Sequence, residues 1–148
     1  MTKVFIAKTN KDVKTPVTAT KFSSGADVYA YIPEESCVSL HPGQTHMFPT
    51  GLFMQPEEGY DIKLFPRSGL AAKLKITLTN AVGVIDRDYD KEVKVLLHNL
   101  SNNHVTICHD ERIAQMLVQR VNPISFIDCE VLPEIDSNRK DGFGSTGK

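Results

Sequence analysis

Tyr60-Asp61-Ile62-Lys63-Leu64-Phe65 alternates polar and large apolar side chains with a period near two, the pattern of a strand with one face in a core. The same alternation runs through Glu92 to Leu97 and Ile113 to Val118. Outward from these runs stand turn sequences: His41-Pro42-Gly43, Pro56-Glu57-Glu58-Gly59, Ser101-Asn102-Asn103 and Val121-Asn122-Pro123. Proline fixes φ, glycine frees it, and Asn and Ser bond to nearby backbone, so these stretches break the strands at hairpin intervals. Helix periodicity is sparse, and the expected class is all-β, a barrel or sandwich. One short helix is expected to begin at Ser68, which precedes the helix formers Leu70, Ala71, Ala72 and Lys73.

The chain has 148 residues and 41% hydrophobic content, enough for one domain with one core. Lys and Arg total 17 against 18 Asp and Glu, so no global field draws in nucleic acid or an anionic membrane, and neither is expected as a partner. Residues Met1 to Lys8 hold an apolar run of only four, too short for a signal peptide or a membrane span. Cys37, Cys108 and Cys129 are far apart, odd in number and in no CxxC pair. That spacing argues against a disulfide framework and a cysteine zinc site, and implies a reduced, intracellular, soluble protein. The histidines form neither HxxxH nor HxH and are read as non-ligating.

Three stretches carry possible chemistry. Arg67-Ser68-Gly69 offers a guanidinium, a hydroxyl and bare backbone at a helix start, groups that favour phosphate oxygens, or else simply a capped turn. Asn80 to Tyr89 crowds Asp86, Asp88 and a phenol between two apolar strands. If those strands form a hairpin, its backbone and Asn80 can read the edge of a base while Asp86 deprotonates a water; otherwise the carboxylates are turn residues and Tyr89 is core. The end of the chain holds Gly142 and Gly147-Lys148 at P-loop spacing, but no Ser or Thr and no helix follow Lys148, so the P-loop reading fails. What remains is a polar, Gly-rich segment with Arg139, Lys140, Phe143, Ser145 and Thr146, suited to covering an aromatic anion.

Taken together, these stretches resemble the five ordered motifs of the trimeric dUTPase family. Ser24-Gly25-Ala26-Asp27-Val28-Tyr29-Ala30 is similar to the first, Pro66-Arg67-Ser68-Gly69-Leu70-Ala71 to the second and Gly83-Val84-Ile85-Asp86-Arg87-Asp88-Tyr89 to the third. Glu111-Arg112-Ile113-Ala114-Gln115 is similar to the fourth and Gly142-Phe143-Gly144-Ser145-Thr146-Gly147 to the fifth. The pattern departs at Lys91, where the family has Gly, at Asp110-Glu111, where it has Gly-Asp, and between Arg139 and Phe143, which stand one residue closer than usual.

The resemblance implies a jelly-roll-like β-barrel over residues 1–135, a flexible C-terminal arm over 136–148, and a homotrimer with sites shared between chains. It implies hydrolysis of dUTP to dUMP and pyrophosphate with Mg²⁺ held by the phosphates and, through water, by Asp27. Asp86 is the expected base, and Arg67, Ser68, Gly69, Gln115 and Arg139 the phosphate contacts. Asn80 and Gly83 belong to the uracil recess, Tyr89 to exclusion of a 2′-hydroxyl, and Phe143, Gly144, Ser145 and Thr146 to the covering arm. Arg112 reads as a structural ion-pair residue. Two alternatives stand beside this: a dCTP deaminase-like enzyme, disfavoured because Leu96 stands where that family carries Glu, and a catalytically silent binding module.

Overall fold

The computed structural model describes residues 2–80 and 82–136. The strands are β1 (Val4–Lys8), β2 (Val17–Thr18), β3 (Ala26–Tyr29), β4 (Cys37–Leu40), β5 (Thr45–Pro56) and β6 (Tyr60–Phe65). After α1 (Ser68–Leu74), the one helix among the described residues, come β7 (Ile76–Leu78), β8 (Gly83–Ile85), β9 (Val93–Asn99), β10 (Val105–Cys108) and β11 (Arg112–Arg120). The expected all-β class is what forms. Its strands make a four-stranded sheet β1-β5-β9-β7, a five-stranded sheet β2-β3-β11-β6-β8 and a ribbon β10-β4, with every pairing antiparallel.

The period-two runs explain where the core lies. Val93, Val95 and Leu97 point inward from β9 while Lys94, Leu96 and His98 do not. Ile62 and Leu64 do the same from β6, and Phe48, Leu52 and Met54 from β5. Val28, Ile113, Ala114 and Met116 complete one continuous apolar interior between the sheets.

Two bulges break this regularity. In β5 the register jumps from Pro49↔Lys94 to Leu52↔Val93, leaving Thr50 and Gly51 outside the ladder. Gly51 takes φ +69°, open to glycine at no steric cost, and an added Cβ there would lie 2.5 Å from Val13 Cγ2. In β11 the register shifts between Arg112 and Ala114, so Ile113 and Ala114 are buried in succession.

Several expectations are corrected. Cys37 and Cys108 face each other across β4 and β10 and are joined by a disulfide; only Cys129 is free, and the compartment argument loses that support. Their sequence separation of 71 hid a pairing that strand register creates. The helix N-cap is Arg67, without a side-chain hydrogen bond, and Ser68 is already the first helical residue. Strands β8 and β9 form no hairpin: β8 pairs with β6 and β9 with β5 and β7, so residues 86–92 cross from one sheet to the other. Val121-Asn122-Pro123 joins no further strand among the described residues. Asp110, where the family pattern has Gly, adopts φ +65°, the left-handed conformation glycine takes most easily and Asp tolerates best among side-chain-bearing residues.

Gly51→Ala is expected to destabilise the fold by about 2–4 kcal/mol, combining left-handed strain with overpacking against Val13. Urea denaturation checks this, and a loss below about 1 kcal/mol would show that the bulge can relax.

Candidate functional site

Strand β11 runs between β3 and β6, and its register sets the site: Gln115 is opposite Asp27 on β3 and Phe65 on β6. Side chains two residues apart share a face of a strand, so Arg112 and Gln115 would ordinarily face opposite ways. The extra residue at Ile113 cancels that parity and brings both to the outer face beside Asp27. Arg67 follows the end of β6 and reaches the same carboxylate.

Asp27 is held from two sides. Arg67 Nε donates to its Oδ1 at 2.9 Å and Arg112 donates to its Oδ2 at 3.2 Å, while the Asp27 side chain is only 15% exposed. Arg67 also donates to the Arg112 carbonyl, at 3.2 Å, which locks the two cations in one geometry. Arg112 is therefore an ion-pair residue here, as its sequence context suggested. A carboxylate offers about four lone-pair sites, so two remain on Asp27 for other donors.

Gln115 donates from Nε2 to the Pro66 carbonyl at 3.0 Å, tying β11 to the turn before α1. Gly25 has a packing reason to be glycine: a Cβ would meet Gln115 Oε1 at 3.0 Å. The first helical bond runs from Ala71 to the Arg67 carbonyl, so the N–H groups of Ser68, Gly69 and Leu70 have no partner within the helix. A Cβ at Gly69 would meet nothing within 4 Å. These groups wall a groove of about 760 Å³ lined by Asp27, Arg67, Ser68, Gly69, Arg112 and Gln115. Ser23 and Ser24 line it too: Ser24 opens the first motif and Ser23 precedes it, and neither hydroxyl was among the expected contacts.

The remaining expected residues lie elsewhere. None of Asn80, Gly83, Asp86 and Tyr89 lines that groove. Asn80 is exposed, with its Nδ2 3.3 Å from where a Gly83 Cβ would stand, so the two are neighbours. Asp86 and Tyr89 sit on the link between β8 and β9, the Tyr89 N–H bonding to the Asp86 carbonyl at 3.1 Å. Tyr89 is 42% exposed, which removes the core reading, and it borders a second hollow of about 310 Å³ with Phe5 and Phe53. Arg139, Phe143, Gly144, Ser145 and Thr146 fall outside the described residues. One chain thus presents a cationic groove and, separately, an exposed carboxylate beside an aromatic.

Among the described residues no group of three or more His, Cys, Asp or Glu side chains is placed to hold a metal ion. No helix there is long and apolar enough to cross a membrane.

The dUTPase family model matches residues 11–147. The deoxyuridine 5'-triphosphate nucleotidohydrolase of Neorickettsia sennetsu is 41% identical over 145 residues, 98% of this chain and 95% of that one. The enzyme of the same name from Finegoldia magna is 46% identical over 132 residues, covering 89% and 90%. The fold is similar to that of a Staphylococcus bacteriophage 80alpha dUTPase mutant solved with dUpNHpp, at TM-score 0.83, 20% identity and 98% coverage of both chains.

Removing Arg67 and Arg112 is expected to be non-additive. Either single alanine variant leaves Asp27 one cationic partner, whereas the double variant leaves a largely buried carboxylate with none. A double-mutant cycle by urea denaturation should give a coupling of about 0.5–2 kcal/mol, and strict additivity would mean solvent compensates Asp27.

Proposed function

The chain belongs to the dUTPase family and hydrolyses dUTP to dUMP and pyrophosphate, and from that premise we propose that Asp86 activates the water, in sites assembled between the subunits of a homotrimer. The observation that carries this reading is the separation within one chain of the Arg67 groove from the Asp86–Tyr89 link. Two copies would let a triphosphate held in the groove of one be attacked from the link of the other. The exposed apolar side chains of Phe126, Ile127, Val131, Leu132 and Ile135, each more than 80% exposed, further favour a second copy as the surface that covers them.

In this reading Asp86 accepts a proton as the water oxygen attacks the α-phosphorus, and the bond to the pyrophosphate oxygen breaks. Arg67, Ser68, Gly69 and Gln115 hold phosphate oxygens, where charge shifts to the leaving group. Asn80 and Gly83 form the uracil recess and Tyr89 packs where a 2′-hydroxyl would collide. Residues 1–135 act as the β domain, and 136–148 complete the site, with Phe143 stacked on the base and Arg139, Gly144, Ser145 and Thr146 toward the phosphates.

The donor set on this chain fits Mg²⁺ held mainly by the substrate. Asp27 is a single carboxylate facing the groove, with lone pairs left to accept from water on a hydrated cation. Bound there, Mg²⁺ would neutralise triphosphate charge that otherwise repels the nucleophile. Neither the deaminase nor the silent module is supported, because the family model and the relatives alike are dUTPases.

Asp86→Asn is expected to lower kcat by about 10²–10⁴-fold while leaving dUTP affinity within about tenfold, because shape and most hydrogen bonds survive. Pyrophosphate release and equilibrium binding measure the two. Retention of more than about a tenth of the rate would reassign the base to Asp88.

A further inference from the structure

The bulge in β5 creates a backbone problem that a side chain solves. Gly51 has left the ladder with β9, so its N–H needs another acceptor, and Glu92 Oε1 takes it at 2.7 Å. Thr50, only 2% exposed, stitches the same point from the other side: its hydroxyl donates to the Val93 carbonyl and accepts from the Leu52 N–H. The start of β9 is thus fixed to β5 at a position set by the bulge.

Glu92 also ends the link that carries Asp86 and Tyr89. The Tyr89 hydroxyl donates to the Glu92 carbonyl at 3.3 Å, and the Tyr89 N–H closes back on Asp86. Residues 86–91 are otherwise exposed, and beyond the hollow it borders with Phe5 and Phe53 the Tyr89 side chain is set by its hydrogen bond to Glu92. The contacts form a line from the bulge amide through Glu92 to Tyr89.

We propose that Glu92 is a positioning residue for sugar discrimination: its carboxylate, anchored on the bulged Gly51 amide, fixes the carbonyl against which the Tyr89 phenol is set. This rests on the reading of Tyr89 as the group that excludes a 2′-hydroxyl. A ring free to swing admits ribose, because exclusion by collision requires a fixed wall. The acceptor role needs an oxygen and not a charge, so glutamine should serve in place of glutamate.

The test is the ratio of kcat/KM for dUTP to that for UTP, measured on full-length variants. Glu92→Ala should lower the ratio by about tenfold, Glu92→Gln should restore it to within about twofold, and in a Tyr89→Ala background Glu92→Ala should change it by less than about twofold. Tyr89→Phe, which leaves the bulge untouched, should lower the ratio by about three-fold or more and so decides the matter even if Glu92→Ala does not fold. An unchanged ratio in Tyr89→Phe, or a Glu92→Ala effect that persists undiminished without the Tyr89 ring, overturns the positioning role. An unchanged ratio in Tyr89→Ala instead removes the sugar reading of Tyr89 itself, and the role of Glu92 with it.

Discussion

The site depends on one extra residue in one strand. Without the bulge at Ile113, Arg112 and Gln115 could not share the outer face of β11, and Asp27 would lose one of its two guanidinium partners. Asp27 is largely buried, and a buried carboxylate without compensation is strongly disfavoured. The pairing of β11 with β3 and β6 therefore fixes more than a sheet. It fixes where positive charge faces the groove, and the bare backbone at Ser68 and Gly69 continues that wall.

The second bulge does comparable work at the link that carries Asp86 and Tyr89. Residues 86–92 pass between sheets with no ladder of their own, so their geometry is borrowed from where they land. Gly51 and Glu92 supply that landing. Both bulges thus place side chains that an uninterrupted strand would aim elsewhere, at the cost of local regularity.

The period-two runs made β6, β9 and β11 legible, because burial of one face leaves a direct mark on the order of residues. Asp27, Arg67 and Gln115 were legible as a set only through the motif resemblance, since nothing in their spacing reveals that β11 lies between β3 and β6. The apolar pair Ile113-Ala114 inside an alternating run was a local trace of the bulge. The Cys37–Cys108 pairing and the Gly51–Glu92 contact left no such trace, since both join residues 40 or more positions apart through strand register. Asp110 shows how a departure from a family pattern can keep its backbone shape, with Asp in the left-handed region in place of Gly and Lys14 bonded to its carboxylate.

A complete site, in this account, takes Arg67 from one chain and Asp86 from another. Subunit exchange tests this directly: Arg67→Ala and Asp86→Asn enzymes, each nearly inactive alone, are mixed, exchange is confirmed by mass, and pyrophosphate release from dUTP is measured. Mixed trimers then contain some sites with both residues intact, and activity should return to a substantial fraction of that of the unaltered enzyme. If exchange is complete and activity stays at the level of the parent variants, Arg67 and Asp86 act within one chain, and the shared site is wrong.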